Sequence, residues 1–573
     1  MTLAGPDVAP AYAPPRGRIA RLFAEPNAIW MREMRQSARL GRTPWILFTL
    51  TLTLALVMCS VGGVAAAEDS TPANIGSGLF QAFFSIAYFV VAIVGPAVAA
   101  NGIASEREGR TWEAVLLAGL TPQEIARGKF LAAYTTIALY IVTLAPVGAL
   151  SFLFGGVTAW EVALAFAILF VLAALSVAFG LAVSSLMSSL RPAIVVTLIL
   201  AIVVAPSLYT SFGVGCSIAA HGQWPEVPEA FPIWLPLAYE RVPFDGMYAA
   251  LLVGLPLVLL GVPGWFLYEA TIANLSAESD DRSTGLKRWF AVATPLLAAA
   301  CTVPGAIATT DDGRMAGTLT GVTAFAVYAS FASLLFAFEM PGPSRRVRVH
   351  WLRTGAGAVR RFFGPGLMKA QVLVALLGLL GTCAVALVNG VILEALGGSK
   401  KDTALQQIFV YTAYTALFLL FVVGLTAWLR ARGSTPWVSR LVTLAVVVLG
   451  AAVPWVIAAI GGAFSHSFDK EWLLIGAPSP VFAFVMVGWL DRSDPGSLPI
   501  IGAGLACAMA WGFFGFVFLA LGARACTKAV RAHQLAIAHA EAALDAEDRA
   551  AEAQAGSPDA PPLGAPEAAT ASP

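Results

Sequence analysis

The chain has 573 residues, of which 58% are hydrophobic and only 12% charged, with 35 Lys plus Arg against 34 Asp plus Glu and a mean hydropathy of +0.77. A soluble domain is roughly half apolar and about a quarter charged, so this polypeptide has too little charged surface to dissolve as a globule. It reads as an integral membrane protein, and outside its apolar stretches no loop or tail exceeds about fifty residues, below the usual size of a catalytic domain.

In chain order, the first apolar run begins near Trp45, behind a tail carrying seven Arg. That pattern is a retained anchor, not a cleaved leader. Within the tail, residues 27 to 40 plot as an amphipathic helix, with Trp30, Met31, Met34 and Ala38 on one arc and Arg32, Arg35, Gln36 and Arg39 on the other. Such a helix lies on the membrane surface, either as a simple basic anchor or as an organised interface helix. Gly41 can end it, and Thr43 followed by Pro44 can start the first span.

Apolar stretches long enough to cross a bilayer fall near 45 to 66, 79 to 100, 130 to 155, 160 to 187, 191 to 213, 248 to 272, 289 to 309, 315 to 338, 370 to 396, 405 to 429, 437 to 463 and 498 to 522, twelve in all. The fold class expected is therefore all-α and polytopic. With both termini cytoplasmic, only Arg241, Arg314, Lys400, Lys401, Lys470 and Arg492 among the basic residues face out, as the positive-inside rule demands. Residues 472 to 490 are also apolar, but Pro478 and Pro480 interrupt them and leave a re-entrant or interfacial piece.

The loop from 101 to 129 departs from a plain connection. Glu106, Arg110 and Glu113 recur at helical spacing as one charged stripe, with Trp112, Val115 and Leu116 on an apolar side. Gly119 can end that helix, and Thr121, Pro122, Gln123 and Glu124 form a capping box with Pro at the first helical position. The expectation is an elbow of two helices whose shaped, charged face suits a protein partner.

Elsewhere the signals are general. Residues 213 to 247 hold Trp224, Phe231, Trp234, Tyr239 and Phe244 among five prolines, which fits a lid or re-entrant turn as well as an aromatic belt. Arg345, Arg346, Arg348, Arg353, Arg360, Arg361 and Lys369, beside apolar spans, read as a clamp on the inner leaflet, not a nucleic-acid patch. Residues from 523 to about 553 favour helix, and the Ala/Pro/Gly-rich remainder favours disorder. The six Cys form no CxxC pair and the five His no HExxH, so no metal or catalytic site is assigned.

At the interface helix and the 101 to 129 loop the chain resembles the membrane subunits of ABC exporters of the ABC-2 type. The family's Arg-Glu-x-Arg pattern before the first span matches Arg32, Glu33, Met34 and Arg35. Its Glu-Arg-Glu run matches Glu106, Arg107 and Glu108; its Thr-x-Glu matches Thr111 and Glu113; its Pro-x-Glu-Ile matches Pro122, Glu124 and Ile125; and its Gly-Lys matches Gly128 and Lys129. The usual Gly before Thr111 is replaced by Arg110, with Gly109 one place earlier. The resemblance spans roughly residues 20 to 272 and divides the chain into a tail and interface helix (1 to 44), a six-span ABC-2-like domain (45 to 272), a second six-span region (273 to 522) and a C-terminal tail (523 to 573).

The resemblance implies a permease of the bacterial plasma membrane, with a cytoplasmic coupling-helix elbow gripped by a separate ABC ATPase. Contacts would come from Glu106, Arg107, Glu108, Arg110, Thr111, Trp112, Glu113, Leu116, Pro122 and Glu124, with Trp30, Arg32, Glu33, Arg35 and Arg39 on the interface helix. No GxxxxGK[ST] loop occurs, so ATP and Mg are expected on the partner and no cofactor on this chain, which is not expected to be an enzyme by itself. One elbow per chain implies a homodimer or a second permease. The alternatives are an ion-coupled secondary transporter and a membrane-embedded enzyme. Both need ionisable groups deep in the spans, whereas Glu161, Glu269 and Glu394 lie near span ends, where solvation explains them, and Asp311 and Asp312 lie in an outer turn.

Overall fold

A computed structural model describes residues 27–39, 42–68, 71–210, 215, 222–224, 239–277, 279–465, 470–490 and 497–555. Gly41, Phe231, Trp234 and residues 556 to 573 lie outside these, as do the side chains of Thr43 and Leu116. The described residues are helical, without strands, and include twelve helices long and apolar enough to cross a membrane.

In chain order these are α1 (Ala28–Ala38), α2 (Arg42–Ala67), α3 (Pro72–Glu108), α4 (Trp112–Leu117), α5 (Pro122–Gly148), α6 (Leu150–Leu153), α7 (Ala159–Leu186), α8 (Leu190–Leu208) and α9 (Gly246–Leu275). Then follow α10 (Thr284–Ile307), α11 (Asp311–Phe336), α12 (Arg345–Arg353), α13 (Ala358–Phe363), α14 (Leu367–Leu396), α15 (Lys401–Ala431), α16 (Pro436–Ser465), α17 (Lys470–Ile475), α18 (Phe482–Leu490) and α19 (Ser497–Ala555). The interrupted apolar stretch after residue 470 forms α17 and α18, with 6 and 9 residues. Neither can cross a hydrocarbon core of about 30 Å at about 1.5 Å per residue. In contrast, α19 is one continuous helix of 59 residues.

The chain forms two compact units. Unit 1 comprises residues 1–325, 344–364 and 380–412, and unit 2 comprises 326–343, 365–379 and 413–573. In unit 1, α3 is the central helix, packing on α2, α5, α7 and α8. Backbones approach closely because small residues face each other. A Cβ on Gly180 of α7 would stand 2.1 Å from the Pro96 carbonyl oxygen of α3, and one on Gly95 would meet the Ser176 Cβ at 2.8 Å. Helices in lipid gain their association from such packing, since lipid tails are as apolar as Leu. Phe80, Phe83 and Phe84 of α3 fill the space above with Phe166 of α7, ring centroids 4.8 to 5.9 Å apart.

Unit 2 repeats this device at Gly424 of α15 and Gly515 of α19, where a Cβ on the first would lie 2.2 Å from the carbonyl oxygen of the second. The C-terminal carbonyls of α11 are capped by guanidinium groups: Arg440 donates to Leu334 and Leu335, at 2.8 and 3.0 Å, and Arg430 donates to Ala337 at 2.8 Å. These arginines thus satisfy orphan acceptors and complement the negative helix end.

The α3–α7 crossing yields a first expectation. Gly180→Val forces a branched side chain against backbone that cannot rotate away, and costs about 1–3 kcal/mol, read as a lower thermal unfolding midpoint in detergent. Gly261→Ala, at a position with open space around its Cα, leaves the midpoint near wild type.

Candidate functional site

The second span does not stop at the membrane. With 37 residues α3 is about 55 Å long, some 25 Å more than the hydrocarbon core needs, so its C-terminal turns carry Glu106, Arg107 and Glu108 past the apolar layer. Gly109 caps it, and Arg110 adopts φ +56°, the left-handed conformation. The expected stripe of Glu106, Arg110 and Glu113 is therefore not one helical face: the helix breaks between 109 and 111, and Glu113 belongs to the separate helix α4. Helical spacing holds only while the helix does, and the αL residue ends it. The break falls where the ABC-2 pattern places Gly, the residue that takes positive φ without a Cβ penalty.

Past the break the local turn signals are met. Gly119 turns the chain at φ +72°, and Thr121 and Glu124 form the expected capping box over Pro122 at the start of α5. Trp112 and Val115 of α4 pack on the core of unit 1, and the Arg107 guanidinium lies 5.5 Å over the Trp112 ring. Arg107 also donates to the carbonyls of Ser185 and Met187, at 2.9 and 3.0 Å, tying the end of α3 to the end of α7. The Glu108 carboxylate accepts from the Leu190 amide at 2.7 Å, at the N-terminus of α8. Thr111 donates back to the Glu106 carbonyl.

Glu106 turns inward. It is only 9% exposed, and one carboxylate oxygen, Oε1, accepts from Lys129 of α5 at 2.8 Å and from Arg32 of α1. Lys129, 4% exposed, also pairs with Glu33 at 2.7 Å, and Glu33 pairs with Arg32 at 2.9 Å. Two carboxylates and two cations thus alternate in a closed network across three helices.

The backbone brings them together by close approach. Asn27 caps α1 through its side-chain oxygen, and its amide donates to the Glu124 carbonyl at 2.8 Å. Gly128 faces this junction: a Cβ there would come 2.3 Å from the Asn27 side-chain oxygen and 2.7 Å from the Ile29 Cβ. Trp30 donates from its indole to Thr135 at 3.2 Å. Arg35 and Arg39 remain exposed on the outer arc of α1.

Of the residues singled out from sequence, the structure therefore brings together Arg32, Glu33 and Glu106, while the adjacent Arg107 turns to the end of α7. The structure leaves Arg110, Glu113 and Glu124 facing outward. Lys129 was legible only as half of a Gly-Lys match, and nothing in one dimension shows that it neutralises two carboxylates. Leu117, 88% exposed beside Glu113 on the outward arc of α4, was missed. Its signal is a Leu four residues after Glu113, on the polar side of a helix whose apolar side is already filled.

A second ion pair lies at the other end of unit 1. Glu161 at the start of α7 is fully buried and pairs with Arg241 at 2.8 Å, whose guanidinium also donates to the Gly156 carbonyl. The solvated position expected for Glu161 is thus replaced by a partnered one, as burial of a carboxylate requires. Glu394 pairs with Lys401 and is exposed, and Glu269 accepts from the Trp265 indole at 3.1 Å. Asp311 accepts from the amides of Gly398 and Lys400, and Asp312 pairs with Lys400.

Residues 64–273, from the end of α2 through α9, match the family model described as ABC-2 family transporter protein. Over that stretch the chain is similar to the ABC-2 transporter family. With twelve helices long and apolar enough to cross a membrane among its described residues, the protein is a multi-pass membrane protein, and the matched stretch contains α3, the elbow and α5, while α1 lies outside it. No curated protein and no solved structure matches the chain.

The network and the break beside it lead to three expectations. Lys129→Met leaves Glu33 and Glu106 with Arg32 as their remaining shared cation and removes the buried one, and it costs about 3 kcal/mol or somewhat less, given the partial exposure of Glu33 and Arg32, measured as a fall in thermal midpoint. Arg110→Gly removes the αL penalty and stabilises the matched region by up to about 1 kcal/mol, part of the gain being offset by a more flexible unfolded chain.

The third concerns pH. Burial pushes the Glu33 carboxyl up, but the Lys129 ammonium and Arg32 guanidinium outweigh it and hold the group below its ordinary 4.5. A depressed carboxylate stabilises the fold above its unfolded pKa, and the contribution disappears as pH falls through the folded value. Glu33→Gln is thus less stable than wild type at neutral pH, and the gap closes only below about pH 4.

Proposed function

We propose that this protein is the membrane-spanning permease subunit of an ATP-driven exporter, moved by a separate ABC ATPase that docks on the elbow at α4. The observation that carries the reading is the division of labour within the elbow. Its inner face, Trp112 and Val115, is packed on the membrane helices, while Glu113 and Leu117 point away from the body and have no structural task there. An exposed Leu flanked by charge is the composition of a docking spot: an apolar anchor with a polar rim.

Force applied at α4 reaches the spans by short links. The turn 109–111 joins α4 to α3, Arg107 joins α3 to the end of α7, and Glu106 joins α3 to α1 and α5. Glu106 acts in this reading as an internal coupling residue, and Glu113, Leu117 and Arg110 make the contact. An ATPase that prefers one arrangement of the elbow over another shifts the spans by that difference in affinity. ATP and Mg reside on the ATPase, and this chain forms the path.

Orientation follows from the same assignment: the elbow end faces the cytoplasm of a bacterial inner membrane, and so do both termini. The turn between α15 and α16 offers no second docking surface, because Arg430 and Arg440 are engaged in capping α11. Two ATPases then require two permease chains, as a homodimer or with a sister subunit.

The test is co-purification with an ABC ATPase co-expressed with this chain and chosen because it associates with the wild type. Glu113→Lys combined with Leu117→Ser is expected to weaken association about tenfold or more, with the thermal midpoint unchanged. Association at the wild-type level would remove the elbow as the docking site. Lys129→Met, by contrast, is expected to retain association while losing stimulation of ATP turnover by transport substrate.

A further inference from the structure

The short helices α12 and α13 lie between two spans, and the function above uses neither. They belong to unit 1 and are fixed at the start of α10. Ser344 caps α12 and donates to the Ser279 carbonyl at 2.6 Å, Arg346 pairs with Asp280 at 2.7 Å, and the fully buried Lys287 of α10 donates to the Gly364 carbonyl at 2.8 Å. Thr284 donates to the Phe363 carbonyl, and a Cβ on Gly364 would meet the Trp351 ring at 2.3 Å. Gly355, at φ +57°, makes the bend between the two helices. The pair is thus held as a rigid hairpin at the level where α10 emerges from the apolar layer.

Its outer surface combines two features that rarely coexist on a water-facing helix. Leu352 and Val359 are 76% and 73% exposed. Beside them Arg345, Arg353, Arg360 and Arg361 are also exposed, and from Met340 to Leu393 the sequence contains no Asp or Glu. The inward positions are taken by Val347 and Trp351, so the outward apolar residues are not part of the fold's own core. A helix with bare Leu and Val among arginines, at the end of a span, matches the interfacial zone of a bilayer, where apolar side chains enter the acyl boundary and cations meet phosphates.

We infer that the α12–α13 hairpin is a binding surface for anionic phospholipids, its arginines taking the headgroup phosphates and Leu352 and Val359 inserting beside the acyl chains. Guanidinium groups suit this ligand because they donate paired hydrogen bonds to phosphate oxygens. Charge complementarity selects the occupant: the hairpin carries no carboxylate of its own, and Asp280 beside it is paired with Arg346, so its net positive outer face repels cationic partners and suits a layer of phosphates. The hairpin also lies at the same end of unit 1 as the elbow, since Asn274 at the end of α9 donates to Ser185, whose carbonyl accepts from Arg107. The lipid surface and the docking helix α4 therefore share one leaflet, although the lipid assignment does not depend on the ATPase.

The test uses the full chain reconstituted in nanodiscs of equal phosphatidylcholine and phosphatidylglycerol, extracted in mild detergent, with retained lipids counted by mass spectrometry. Wild type is expected to retain phosphatidylglycerol preferentially. In Arg353→Gln/Arg360→Gln/Arg361→Gln the preference falls about five-fold for the first Arg removed and further with each additional one. The corresponding Lys triple keeps most of it, and Arg524→Gln/Arg531→Gln/Arg549→Gln on α19 leaves it unchanged. Undiminished preference in the first variant overturns the proposal, as does loss of preference in the α19 control to the same extent. Displacement of the lipid by millimolar inorganic phosphate would show a free-anion site and overturn it too. So would loss of ATPase association with lipid retention intact, which would make the hairpin a protein contact.

Discussion

One carboxylate oxygen, Glu106 Oε1, holds the architecture at the elbow end. It receives Lys129 from α5 and Arg32 from α1, and it sits on α3, the helix on which α2, α5, α7 and α8 pack. Buried charges tolerate their surroundings only in mutual company, because each member left alone faces the full penalty of desolvation. The three helices cannot separate one at a time. Glu33 closes the ring and gives Lys129 a second anion, so ion pairs add to the buried Ile29 in binding α1 to the bundle.

That electrostatic joint works because the backbones around it are allowed to come close. Gly128 admits the cap of α1, and Gly95 and Gly180 admit α7 against α3. Polar links then fix what small residues permit: Ser184 accepts from the amides of Ile103 and Ala104 while donating to the Ala100 carbonyl, and Ser176 donates to the Val91 carbonyl. At the far end Glu161 and Arg241 repeat the pattern of a buried acid paired across the sequence, here between α7 and the segment leading into α9. Unit 1 is thus closed by an ion pair at each end, with an apolar, aromatic-filled middle, the arrangement that a bilayer favours.

The sequence carried the spans and the local stops well. Stretches of apolar residues announce themselves by length, and Thr121 to Glu124 or Gly119 announce a helix start and stop because those signals are local. The sequence could not show where a charged residue points. Glu106 reads as one of several acids on a presumed stripe until Lys129 and Arg32, 23 and 74 positions away, are seen around it. Arg110 was the more instructive residue. Its replacement of Gly in a familiar pattern was visible, yet the consequence, a left-handed residue that splits the helix, appears only with backbone angles in hand. Glu161 followed the same rule: a terminal position suggested water, and Arg241, 80 residues on, supplied a partner instead.

The unbroken α19 has a mechanical consequence. About 30 Å of its roughly 88 Å covers the hydrocarbon, so the turns from residue 523 onward form a stiff rod some 48 Å long. Helices of this kind bend only gently when no Pro or Gly interrupts them, and none does between Ala523 and Ala553. A tilt of about 10° at its root would carry the tip roughly 8 Å, so a small rearrangement among unit 2 spans is amplified into a displacement as large as a helix is wide.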